Sequence, residues 1–377
     1  MSFIKGFYRI TSSGLYIPQV DGIRFIAIIS VILYHSAYFY AIKNQVVPYD
    51  IFNRVLSNGY QGVELFFVLS GFILSLPFAK KFTAGNGQLS LKNYFLRRLT
   101  RLEPPYIIST LGFFILLVFI TKKSTFSYLF PHLLASLTYS SNIIFGATPV
   151  INNVLWSLEV EVQFYILAPF ICWLLFYKVK NTFNRTGLIC VLIILAILFN
   201  QQFSLSRITL IQYVSFFFAG ILVTQLYISP PKLKLSNFFL NSISILIIII
   251  VFANDYVHSS AFYKVIFHFL IAILYLIVIG FNALKGFLQN KFVCIIGGAC
   301  YSIYLLHYQI ISLIGNFLIN RKLFNIVLLN EAVEIIFYLS GVLIISMIFF
   351  KLIERPCMER YWYKPFFRSF TYKIKEG

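Results

Sequence analysis

The sequence predicts an all-α, polytopic membrane protein, one bundle of about ten transmembrane helices with both termini cytoplasmic. Hydrophobic residues make up 59% of the 377 positions and charged residues only 11%, with a mean hydropathy of +0.84. A water-soluble domain cannot hide that much apolar surface. Apolar runs long enough to cross a bilayer recur along the chain, and basic residues gather in the short segments between them. The net charge of +19 therefore reads as membrane orientation and headgroup contact, not as a nucleic-acid footprint.

Spans are expected at about 22–41, 60–79, 104–120, 158–177, 187–200, 209–227, 237–253, 263–281, 295–319 and 332–353. Gly187–Asn200 is the shortest of them. Residues 127–145, interrupted by Pro131 and His132, read as an interfacial or re-entrant segment. Residues 1–377 then form a single membrane domain with a short cytoplasmic N-terminal segment and a basic C-terminal tail. Residues 1–20 lack the apolar core of a cleavable signal. With the N-terminus inside, 23 of the 31 Lys and Arg residues fall on the cytoplasmic side, which supports both the count and the orientation. The 43 Phe and 25 Tyr suit lipid-facing and interfacial positions. Cys172, Cys190, Cys294, Cys300 and Cys357 lack metal-ligand spacing and read as small apolar residues.

The first span organises the chemistry. It carries Arg24 at its start and His35 well inside. Eleven residues at 100° each bring the two side chains to nearly one face, about 16 Å apart in rise. An ionisable group inside a span is expensive to keep and marks a functional site. In the predicted orientation Arg24 lies at the cytoplasmic surface and His35 in the outer half. Glu64, in the second span, and Glu159 and Glu161, at the start of the fourth, are expected near the depth of His35. An imidazole with a carboxylate partner makes a general base and its orienter, although such acids also tie helices together. Glu159, two residues from Glu161, is expected to face water. Lys92, Arg97, Arg98 and Arg101 cluster on the cytoplasmic side. Arg97 and Arg101 share a helix face with Arg98 flanking, a set able to grip phosphates or to serve as ordinary positive-inside charge. Pro104 and Pro105 then mark a break. Tyr301, Tyr304 and His307 step by three along the ninth span, lining a cavity or packing helices. His132, His258 and His268 are placed in loops or at helix ends without a role, and Glu354 and Arg355 are expected to pair locally.

Taken together these stretches resemble the acyltransferase-3 family of integral membrane O-acyltransferases, over most of the chain. The Arg24…His35 pair resembles its Arg-x10-His motif. Gly62 to Phe72 resembles its Gly-Val-Asp-Leu-Phe-Phe-Val-Leu-Ser-Gly-Phe block, with Glu64 where Asp is usual. Arg97-Arg98-x-x-Arg101 with Pro104 and Tyr106 is similar to its arginine segment, with Glu103 in place of an apolar or aromatic residue. Trp156-Ser157-Leu158 with Glu161, Phe164 and Tyr165 is similar to its Trp-Ser-Leu block, with Val162 where a second Glu is frequent. Tyr301 to His307 and Glu354-Arg355-Pro356 resemble its late motifs.

The resemblance implies transfer of an acyl group, usually acetyl, from cytoplasmic acyl-CoA as co-substrate to a hydroxyl of a cell-envelope sugar or other acceptor, by a multi-pass protein of the cell membrane. Some relatives carry an esterase-like domain beyond the helices, and none is expected within these residues. His35, Glu64 and Glu161 are the expected catalytic set; Arg24, Arg97, Arg98 and Arg101 the acyl-donor site; Trp156, Tyr301, Tyr304 and His307 the substrate-binding set. No metal or tightly bound cofactor is expected. The alternative is a proton-coupled transporter or flippase for a glycan or lipid precursor, for which intramembrane His and Glu are equally suited. Such folds often repeat internally, and the Arg/His helix has no second copy.

Overall fold

The computed structural model describes residues 6–10, 16–44, 55–83, 90–203, 207–231, 234–317, 327–359 and 362. Its regular elements are all helical, and no strand occurs among the described residues. The principal helices are α1 (Pro18–Asn44), α2 (Gly62–Thr83), α3 (Leu91–Ile115), α4 (Phe126–Leu137), α5 (Trp156–Cys172), α6 (Thr182–Gln202), α7 (Leu210–Ile228), α8 (Asn237–Ala253), α9 (Ala261–Tyr275), α10 (Lys291–Gly298), α11 (Cys300–Phe317) and α12 (Val327–Phe349). Among the described residues eight helices are long and apolar enough to cross a membrane, and nine if the bent pair α10–α11 counts as one span. The protein is a polytopic membrane protein. Each expected span coincides with a helix. For 237–253 that helix is α8, whose 17 residues rise about 25 Å against a hydrocarbon core of about 30 Å. The basic C-terminal tail beyond Trp362, Lys5, and the connections bearing Arg54, Lys232, Arg321 and Lys322 lie outside the described residues.

Two local expectations change. Pro104 and Pro105 do not break the chain, and α3 runs through both. Proline frees the carbonyl four residues before it, and the indole of Trp362 donates to that of Thr100 at 2.9 Å. The ninth span is broken, with α10 and α11 meeting at 71°. Gly297 and Gly298 precede the break, and a Cβ at Gly297 would collide with the backbone of Asp21. Glycine is a weak helix former and allows this approach. Residues 127–145 hold a true helix, α4, which turns back along α3. Phe126 packs on Phe114 (centroids 5.7 Å apart) and Tyr139 stacks on Tyr106 (4.5 Å). The segment re-enters the bundle, and Tyr139, at φ 53°, turns the chain at the inner end.

The bundle interior is set by close helix approaches. Gly59 seats on Ser30, and Gly62 on Ala27, which fixes the antiparallel register of α2 against α1. On the far side of α2, Gly71 meets the backbone of Phe217 while Gly220 of α7 meets that of Val68. In a membrane such small-residue contacts replace the hydrophobic drive and let dispersion and short hydrogen bonds hold helices together. Ser75 and Thr224 add one of these between α2 and α7, at 2.6 Å. Gly220→Val should lose about 1–3 kcal/mol by overpacking and lower the thermal midpoint in detergent. Gly187→Ala, where a Cβ meets nothing within 4 Å, should not lower it. An unchanged midpoint for Gly220→Val would refute this packing.

Candidate active site

A cavity of about 300 Å³ lies between α1, α2, α3, α5 and α11. At one end it is lined by Arg24, Arg98 and Arg101. Arg24 reaches it from the first turns of α1, held by Asp21 at 2.8 Å; the same carboxylate oxygen takes Arg9 at 3.0 Å. Arg98 lies over the ring of Tyr165, 5.4 Å from its centroid. The Nε of Arg101 is buried and has no hydrogen-bond partner among the described residues. A buried guanidinium N–H in that state favours an anionic ligand that would accept from it. Arg97 is not with them. It is exposed, outside the cavity lining, with its Nε donating to the Asn93 carbonyl at 2.9 Å. Arg101 lies between Arg97 and Arg98 in azimuth about α3, and the cavity covers its Arg98 side.

Glu161 also lines the cavity, accepting a short hydrogen bond from Ser70. Ser70 is six residues from Glu64 on α2, about 9 Å along the helix. The two acids therefore lie at different depths, with Glu161 at the level that faces Arg98. Toward its other end the cavity meets Ser157 and Tyr304, whose hydroxyls lie 2.6 Å apart. Tyr304 Oη donates onward to the Val154 carbonyl at 2.9 Å. Tyr301 lines the cavity and donates to the Leu102 carbonyl at 2.9 Å. Trp156 is not among the lining residues. Its ring packs against Phe67 and Tyr213.

His35 and His307 meet one turn of α11 beyond Tyr304. Their Nδ1 and Nε2 atoms, respectively, are 3.2 Å apart. His35 Nδ1 also lies 3.0 Å from the Val31 carbonyl, and His307 Nδ1 lies 2.8 Å from that of Tyr304. Neither Glu64 nor Glu161 hydrogen-bonds His35 among the described residues. The α1–α2 register explains this. With Gly59 on Ser30 and Gly62 on Ala27, Glu64 falls opposite the first turns of α1 and not opposite His35. It is buried near Tyr60, Tyr213, Tyr256 and Tyr304, and its Oε2 has no hydrogen-bond partner among the described residues.

Other expected roles move as well. Glu159 does not face water; it is fully buried and accepts from the Asn142 backbone N–H at 2.7 Å. Glu354 and Arg355 do not pair. Glu354 accepts from the backbone N–H of Ser302 at 3.0 Å, and Arg355 donates to the Tyr8 carbonyl at 3.3 Å. His268 sits inside α9, buried and 2.9 Å from the Ser215 hydroxyl. His132 lies within α4, its ring 4.0 Å from that of Phe145, while His258 stays in a loop beside Asp255. Ser70 has no role in the sequence reading, and His307, expected in the substrate-binding set, stands beside His35 and outside the cavity lining. This pairing had a signal, since His307 was the other histidine on a polar stripe within a span.

The sequence model of the acyltransferase domain matches residues 17–351, which takes in the arginines, the cavity and both histidines. A Staphylococcus aureus (strain COL) protein named "Putative O-acetyltransferase" is 26% identical over 361 residues, covering 86% of this chain and 55% of its own length. A peptidoglycan O-acetyltransferase of Listeria monocytogenes, OatA, is 31% identical over 180 residues, 45% of this chain and 26% of its own. The chain thus spans about half the length of the first of these relatives, or less. No solved structure matches it. With the family model covering nearly all the described helices, the chain belongs to the acyltransferase-3 family of membrane O-acyltransferases.

Proposed function

We propose that the protein moves an acyl group, acetyl in the first instance, from acyl-CoA on the cytoplasmic side to a hydroxyl of a cell-envelope glycan, from a ten-span bundle in the cell membrane with both termini inside. The observation that carries this reading is the cavity. Two guanidinium groups of α3 and one of α1 gather at one end, and a buried imidazole pair stands one helical turn past the other. Arg98 and Arg101 would hold the donor phosphates, with Arg24 kept in place by Asp21. The thioester arm would lie along the apolar walls given by Phe66, Phe67 and Leu69, toward Ser157 and Tyr304. His35 would take the proton of the acceptor hydroxyl as the acceptor oxygen bonds to the acyl carbon. The carbon–sulfur bond breaks, and the proton passes to the departing thiolate. The glycan acceptor rests on likeness to the Listeria peptidoglycan O-acetyltransferase.

Transfer of labelled acetyl from acetyl-CoA to an envelope-sugar extract, with the protein in detergent, tests the reading. His35→Ala should lower turnover by about 10²–10⁴-fold while the protein stays folded; wild-type turnover would remove His35 from the chemistry. The Arg98→Ala, Arg101→Ala double variant should weaken CoA binding by at least tenfold, since each charge-assisted hydrogen bond contributes about 1.5–3 kcal/mol. Arg97→Ala should leave CoA binding alone. Equal losses in the two experiments would mean that general surface charge, not the cavity, holds the donor.

A further inference from the structure

Where a carboxylate partner was expected for His35, the fold supplies a second histidine. His307 is fully buried on α11. Its Nδ1 lies 2.8 Å from the Tyr304 carbonyl, and a carbonyl oxygen can only accept. That nitrogen therefore carries the hydrogen, and in the neutral ring Nε2 is a bare acceptor. This acceptor lies 3.2 Å from Nδ1 of His35, which also lies 3.0 Å from the Val31 carbonyl. Two acceptors converge on one nitrogen, so His35 too is protonated on Nδ1, and its free lone pair is on Nε2. Ring neighbours keep the imidazole from turning over: Tyr34 at 4.9 Å and Tyr308 at 5.4 Å, both edge-on to His35.

We propose that His307 is the positioning residue of the transfer: together with the Val31 carbonyl it holds the Nδ1–H of His35, leaving Nε2 bare to receive the acceptor's proton. The inference rests on the reading of His35 as the base. In the step itself the acceptor O–H bond breaks and an N–H bond forms at His35 Nε2. The charge that develops on the ring strengthens the hydrogen bond from Nδ1–H to Nε2 of His307. The proton then leaves Nε2 for the thiolate. A histidine suits this depth better than a carboxylate. A buried carboxylate partner would either carry its desolvation cost through the whole cycle or take up a proton and lose its charge. The imidazole pair is neutral at rest and holds one charge only while the base is loaded. The second-nitrogen hydrogen bond of a working histidine sets its tautomer in this way.

The test uses the full-length protein with ¹⁵N-labelled histidine, the His35 signals being assigned by their loss in His35→Ala. His35 should show hydrogen on Nδ1 and none on Nε2. His307→Phe, which has no acceptor, should lower kcat at least 100-fold with the acetyl-CoA KM within threefold of wild type. His307→Gln, whose amide oxygen can reach the place of Nε2, should keep at least a tenth of wild-type kcat. Size-exclusion profiles and CoA binding confirm that each variant is folded. Hydrogen on Nε2 of His35 in the wild type, a His307→Phe kcat within threefold of wild type, or a folded His307→Gln as inactive as His307→Phe would each overturn the proposal. Full turnover in His35→Ala would instead overturn the base assignment, and the ¹⁵N spectra would still report on the pairing.

Discussion

The contact between α1 and α2 decides where the polar groups of this bundle stand. It is closed to backbone distance at Gly59 and Gly62, which receive Ser30 and Ala27. Lipid tails offer no hydrophobic drive for helix association, so a close, directional approach must define the register. This one slides Glu64 away from His35 and leaves the histidine ring to α11. The opposite face of α2 is locked just as closely, through Gly71 and Gly220, to α7. With α2 held on both sides, Ser70 comes to Glu161 and the cavity opens beside it.

The acids of the bundle show what a membrane interior asks of an ionisable group. Glu159 holds the chain at Asn142, Glu354 holds α11 at Ser302, and Glu161 holds Ser70. Each joins segments distant in sequence, and each has a donor where none would be free in lipid. Asp21 does the same at the mouth, where Arg9 and Arg24 share one of its oxygens. Acids that looked like partners for a base are thus largely engaged in holding helices. The imidazole pair avoids that burden because it needs no charge at rest.

The re-entrant course of α4 adds a wall that a row of simple spans would lack. By folding back along α3 it brings Tyr139 into the cavity lining beside Glu103, and it is fastened by the Tyr106 hydroxyl on the Ser136 carbonyl at 2.8 Å. The cavity is therefore walled by protein at Tyr139. It lies wholly within the portion of the chain matched by the acyltransferase-domain model.

Composition and hydropathy were sufficient for the fold class and for the helices that carry the apolar runs, because burial in lipid selects by residue type and run length. The family was legible from short motifs in order, and His35 and the arginine cluster stood out as candidates, since an ionisable group inside an apolar run has few bland explanations. Which of those groups meet was not legible. Periodicity gives an azimuth on one helix, but depth against a neighbour depends on where two backbones touch. That is decided by Gly59, Gly62 and Gly297, which look like any other glycine in a line of sequence. Arg98 and not Arg97 in the cavity, the broken ninth span, and His307 and not a carboxylate beside His35 are fixed by tertiary packing alone.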